Sequence, residues 1–111
     1  MSSLTKEKRL GLRVKDEGVV GIKTNTVTQI AYLIDISRTG VKVGTSEYSI
    51  GQEQLVEILI DKRGERLSFT GRVVREDGKH YIARIRRTTN TIFIQIDDER
   101  FSGFVNDHYY I

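Results

Sequence analysis

Residues 19–43 read VVGIKTNTVTQIAYLIDISRTGVKV. Two runs rich in β-branched residues, Val19–Lys23 and Val27–Ile36, flank the polar Thr24-Asn25-Thr26, and a third, Gly40–Val43, follows a second polar break. Short runs of this kind, bounded by turn residues, read as sequential antiparallel strands. In the second run Ile30, Tyr32, Ile34 and Ile36 recur at every other position. Side chains alternate along a strand, so this spacing predicts that the four share the core side and that Asp35 and Ser37 share the outer side.

The pattern continues outward through Leu55–Ile60, Leu67–Arg75 and His80–Arg86. Asp61–Glu65 reads as a hairpin loop, and Asp77-Gly78 as a two-residue hairpin turn, because both positions tolerate positive φ. Thr91–Ile96 either extends the sheet or pairs elsewhere, and the placement of residues 88–97 stays open. Near the end the period changes: Phe101, Phe104, Val105, His108 and Tyr109 form one helical stripe. Asp97 or Asp98 is placed to cap that helix, with an acidic first turn suited to its dipole. The expected fold class is therefore mainly β, a six-stranded antiparallel barrel with a C-terminal α-helix. Closure removes edges that so hydrophobic a sheet could not leave open.

A chain of 111 residues has room for one domain. Its expected division is a flexible N-terminal switch segment, residues 1–13, ahead of the barrel and helix, residues 14–111. There is no cysteine, hence no disulfide and no thiolate metal site. The opening MSSLTKEKRL lacks the apolar stretch of a secretory leader, and no apolar run approaches the ~20 residues of a membrane helix. The expectation is a cytoplasmic chain without membrane insertion. The net charge is +3, with Lys6, Lys8, Arg9, Arg13 and Lys15 crowded at the start and Arg84, Arg86 and Arg87 near the end. Such a field favours an anionic partner.

Two short segments carry candidate chemistry. Arg9-Leu10-Gly11-Leu12-Arg13 sets two guanidinium forks four residues apart, ~13 Å if extended and closer if bent. Such forks suit phosphate oxygens and the acceptor edge of guanine. They also fit a solvated basic tail. Asp35-Ile36-Ser37-Arg38-Thr39-Gly40 brings an acid and a hydroxyl together at a strand end. Turn stabilisation through local hydrogen bonds accounts for these residues as readily as ligand binding does.

Together, in this order, the two segments resemble the signature of the PilZ family, RxxxR ahead of the barrel and [D/N]xSxxG on an early strand. The resemblance runs from about Lys8 to Arg87. It implies a six-stranded barrel that binds cyclic di-GMP, with no cofactor and no catalysis. It further implies that Arg9 and Arg13 hold phosphates and guanine acceptors, and that Asp35 accepts from guanine N–H donors. Ser37 would serve a guanine or an adjacent backbone group, and Gly40 would keep the turn open for the base. Lys8 and Arg38 stand beside these as further candidates. The family's last barrel strand often carries glycine, an apolar residue and phenylalanine. In Tyr81–Arg87, the expected counterpart, alanine and arginine stand instead.

The implied role is a receptor or adaptor that passes the second-messenger level to a protein partner in control of motility, exopolysaccharide or biofilm. The chain would act as monomer or homodimer. The alternative is a small basic barrel that binds RNA or single-stranded DNA, for which Tyr32 and Phe69, expected in the core, would offer no stacking surface. His80 and His108 lack the spacing of a metal site, and no nucleophile stands with a base, so neither metal nor enzyme chemistry is expected.

Overall fold

The β-branched runs become strands, and the strands close on themselves. In a computed structural model residues 14–15, 18–45 and 50–109 are described, the first pair by backbone alone. The elements are β1 (Val14–Lys15), β2 (Val19–Lys23), β3 (Thr28–Ser37), β4 (Gly40–Thr45), β5 (Leu55–Lys62), β6 (Glu65–Ile82), β7 (Arg87–Ile96) and α1 (Arg100–Tyr109). Their order is β1-β3-β2-β5-β6-β7-β4, and β4 pairs back onto β3. Strands β2 to β7 thus form a closed antiparallel ring. The two-residue β1 lies in line with β2, along the same side of β3.

Ile36, Val41, Ile94 and Val73 stand opposite one another across β3, β4, β7 and β6, and all four are fully buried. Val20 and Ile22 on β2, with Val56, Ile58 and Ile60 on β5, complete the inner wall. Burial of each such side chain stabilises by about 1.5–3 kcal/mol. One end is stoppered by α1, whose Phe101, Phe104 and Val105 are buried. Phe101 meets Phe69 of β6 edge-on at 5.0 Å, and Phe104 lies 5.4 Å from the same ring. Asp98 caps the helix, its Oδ1 accepting from the Arg100 N–H at 3.0 Å. The acid precedes the helix, and the first turn itself holds none.

Two expectations about the strands are corrected. Asp77-Gly78 is not a hairpin turn: β6 runs unbroken from Glu65 to Ile82, joining the expected Leu67–Arg75 and His80–Arg86 strands. The pair forms a bulge between Glu76 and Lys79, with Gly78 at φ +78°, and the true turn is Ala83–Arg86. Positive φ serves a bulge as well as a turn, so the dipeptide marks a kink here. Residues 87–96 form the closing strand, between β6 and β4. The last barrel strand is therefore β7, and the alanine and arginines of Tyr81–Arg87 lie largely outside it.

The face assignment of β3 is also corrected. Gln29, Ala31 and Leu33 point inward, Ile30 is 59% exposed, and Tyr32 is half-buried on the outer side. Of the four residues expected in the core, only Ile36 is buried there. The register passes from Leu33↔Val43 directly to Asp35↔Lys42, leaving Ile34 as one extra residue. A bulge of one residue reverses the alternation beyond it.

Candidate functional site

The bulge at Ile34 decides where Asp35 points. From the inward Leu33, strict alternation would turn Asp35 into the barrel, where an unpaired carboxylate is costly. The inserted residue turns it outward, half-buried, and returns Ile36 to the core. Opposite Asp35 stand Lys15 on β1 and Lys42 on β4, and the row continues to Phe93 on β7 and Arg75 on β6. Sequence reasoning missed Lys42, Phe93 and Arg75, since they join this row only through register.

The row is electrostatically knit. Lys42 Nζ lies 2.8 Å from Asp77 Oδ2, and Arg75 Nε lies 3.9 Å from the other carboxyl oxygen. The hydrogen bond from Lys42, then its charge, hold the Asp77 carboxyl below its ordinary range, against a slight opposing effect of burial. Arg75 stacks on the Phe93 ring at 4.6 Å. Asp77, expected in a turn, thus orients the lysine beside Asp35.

Asp35–Gly40 spans the end of the β3–β4 hairpin, with Ser37 opposite Gly40 and Arg38-Thr39 as its two-residue turn. Ser37 is 2% exposed. Its hydroxyl accepts from the Thr39 N–H at 3.3 Å and lies 3.5 Å from the Gly40 carbonyl, so it does brace the turn. Gly40 has a packing reason to lack a side chain: a Cβ there would run into the Ile94 carbonyl oxygen of β7. Arg38 reaches α1, its Nε donating to Asn106 Oδ1 at 2.7 Å. The hairpin is therefore held by its own serine, by the close approach of β7, and by the helix.

Arg9, Arg13 and Lys8 lie outside the described residues, as does the whole 1–13 segment. What the structure gives is the point where that segment joins. Val14 pairs with Ile36 and Lys15 with Asp35.

Among the described residues no cluster of three or more His, Cys, Asp or Glu could hold a metal ion. His108 instead packs against Phe104, the rings tilted with centroids 4.6 Å apart, and meets Glu65 at 3.2 Å, while His80 is exposed on β6. No helix among them is long and apolar enough to cross a membrane. A cavity of about 290 Å³ under Thr45, Asn90 and Thr91 includes none of the motif residues in its lining.

A search of curated proteins found no match. Among solved structures, the chain is similar to the PilZ domain of CeSA from a cellulose-synthesizing bacterium. The TM-score is 0.63 at 18% identity, covering 89% of this chain and 96% of that one. An uncharacterized Legionella protein matches with a TM-score of 0.54 at 15% identity, covering 85% of each chain. At such identities the likeness speaks for the fold. The family model for the PilZ domain matches residues 5–102, which takes in both motifs, the full barrel and the start of α1. The chain belongs to the PilZ domain family.

Proposed function

We propose that the protein is a cyclic di-GMP receptor whose ligand is held between the N-terminal arginines and the outer end of the β3–β4 hairpin. Membership in the PilZ family supports a cyclic di-GMP-binding domain, with a binding rather than a catalytic task. The observation that supports the finer reading is the β1–β3 register: Val14 and Lys15, which follow the Arg9–Arg13 motif in the sequence, pair with Ile36 and Asp35.

The chemistry is complementary. Cyclic di-GMP offers anionic phosphodiesters and guanine edges that carry acceptors on one side and N–H donors on the other. Arg9 and Arg13 would take phosphate oxygens and the guanine O6 and N7 acceptors. Asp35 is turned outward to accept from guanine N–H groups. Lys42, its neighbour in register on β4, adds positive charge where the phosphates would lie. Ser37 serves the backbone next to the ligand, in keeping with its bonds to the turn. Gly40 and Arg38 act through shape, keeping the hairpin against β7 and α1. Lys8 supplies one more charge on the segment. Binding would order residues 1–13 on the outer wall, and the altered surface is the output to a protein partner.

Calorimetric titration tests this. Wild-type protein should bind cyclic di-GMP, and Asp35→Ala or Arg13→Ala should each lose about 2–5 kcal/mol, the usual cost of removing one partner of a charge-assisted contact. That is well over tenfold in affinity at ~1.4 kcal/mol per decade. Equal affinity in wild type and both variants would overturn the site.

A further inference from the structure

The pairing of β6 and β7 outruns the barrel. β5 leaves β6 at Leu55↔Arg72, and β4 leaves β7 at Thr45↔Asn90. Beyond those points His80–Ile82 and Arg87–Thr89 pair, among the described residues, with each other alone. They form a two-stranded ribbon that runs past the ends of β4 and β5, joined by the Ala83–Arg86 turn.

Residues 78–96 contain no acid, yet carry Lys79, Arg84, Arg86 and Arg87. Arg84 is directed back to the barrel: it donates to the Gly18 carbonyl at 3.3 Å and lies over the Tyr32 ring at 5.7 Å. That leaves Lys79, Arg86 and Arg87 on the ribbon itself, all three exposed, with Lys79 Nζ donating to Asn90 Oδ1 at 3.0 Å. Tyr81 is 58% exposed and shares a face with Lys79, two residues away. The outer edge of β6 at Lys79–Ile82 meets no strand among the described residues. A strand edge offers main-chain N–H and C=O groups to an incoming extended chain.

We propose that this ribbon is a docking edge for an acidic, extended segment of a partner protein. The segment adds as a strand along Lys79–Ile82, with carboxylates on one face toward Lys79 and on the other toward Arg87, which stands opposite Ile82, and with Arg86 at the turn end. Charge complementarity selects an acidic partner, and the open edge selects an extended polypeptide. A single-stranded nucleic acid would need successive rings on which to stack bases. Here Phe93 is covered by Arg75 and Tyr32 by Arg84, so of these three outer rings Tyr81 alone is uncovered. The surface is separate from Asp35 and Ser37, and the inference does not depend on the cyclic di-GMP reading.

Fluorescence anisotropy with a labelled peptide of Glu-Glu-Thr repeats, which carries carboxylates on both faces of an extended strand, provides the test. A lysine–threonine peptide and a single-stranded oligothymidylate serve as comparisons. The glutamate peptide should bind, the lysine peptide should not, and amide shifts should fall on residues 79–90. The variant Arg86→Gly/Arg87→Gln should weaken binding by about tenfold. Arg86 sits at φ +55°, where glycine is at ease, so this variant keeps the turn. Absent binding, tighter binding of the oligonucleotide, shifts elsewhere, or equal affinity in the variant would each overturn the proposal.

Discussion

Gly40→Ala separates two reasons for a glycine at this position of the motif. If Gly40 serves the ligand alone, alanine should weaken binding and leave the barrel untouched. The structure gives a different expectation. A Cβ at residue 40 would occupy the place of the Ile94 carbonyl oxygen and approach the Gln95 Cα to 3.3 Å. Both are backbone atoms of β7, directly across the ladder at Gly40↔Gln95, and cannot swing aside as a side chain can. Overpacking of this kind costs about 1–3 kcal/mol. For a domain near this size each kcal/mol moves the melting midpoint by about 4 °C, so Gly40→Ala should melt about 4–12 °C below wild type. Gly51→Ala is the control: nothing lies within 4 Å of its added methyl, its stability should change by no more than about 0.5 kcal/mol, and its midpoint should stay within about 2 °C of wild type. Differential scanning calorimetry reads both. A Gly40→Ala midpoint equal to wild type, or an equal fall in Gly51→Ala, would refute the packing argument.

Other outcomes follow from single contacts. Gly103 sits inside α1 with open space around it, so Gly103→Ala should stabilise the domain by about 0.8–1 kcal/mol through helix propensity. An unchanged or lowered denaturation midpoint would contradict this. The Asp77 carboxyl is held low chiefly by the Lys42 hydrogen bond, so its ionised form is favoured in the fold. Its stabilising effect is present above the ordinary carboxylate value of about 4 and is lost as pH falls through the lower folded value. In an NMR titration Asp77 should protonate at lower pH in wild type than in Lys42→Met, and coincident curves would remove Lys42 as the cause. Asp61 and Asp98, lowered chiefly by hydrogen bonds from Arg66 and Arg100, follow the same acid-side logic. Arg66→Met should raise the Asp61 midpoint, and no rise would show that their ion pair is absent in solution.

The parts of the fold legible in the sequence were those governed by short-range pattern. β-branched runs marked strand material, and the aromatic stripe marked the face of α1 that buries Phe101 and Phe104. Where one residue was inserted, the pattern misled. Ile34 bulges, so the alternation counted back from Ile36 placed Ile30 and Tyr32 on the wrong face. Asp35 was rightly placed outside, but the bulge is what puts it there. At Asp77-Gly78 the local signal was real and its context was not, because positive φ at glycine serves bulge and turn alike. Closing β7 against both β6 and β4 is a long-range event with no local mark. Lys42 and Phe93 were invisible as neighbours of Asp35 for the same reason: register between strands assembles that row. The motif residues Asp35, Ser37 and Gly40 were found through resemblance, and the structure then supplied physical tasks for two of them, bracing the turn and admitting β7.

The most direct measurement is a co-crystal with cyclic di-GMP, read at the outer face of the β3–β4 hairpin. One guanine edge should lie against the Asp35 carboxylate, with phosphate oxygens within hydrogen-bond distance of Arg9 or Arg13. Ligand density away from Asp35, or arginines directed away from the bound dinucleotide, would contradict it.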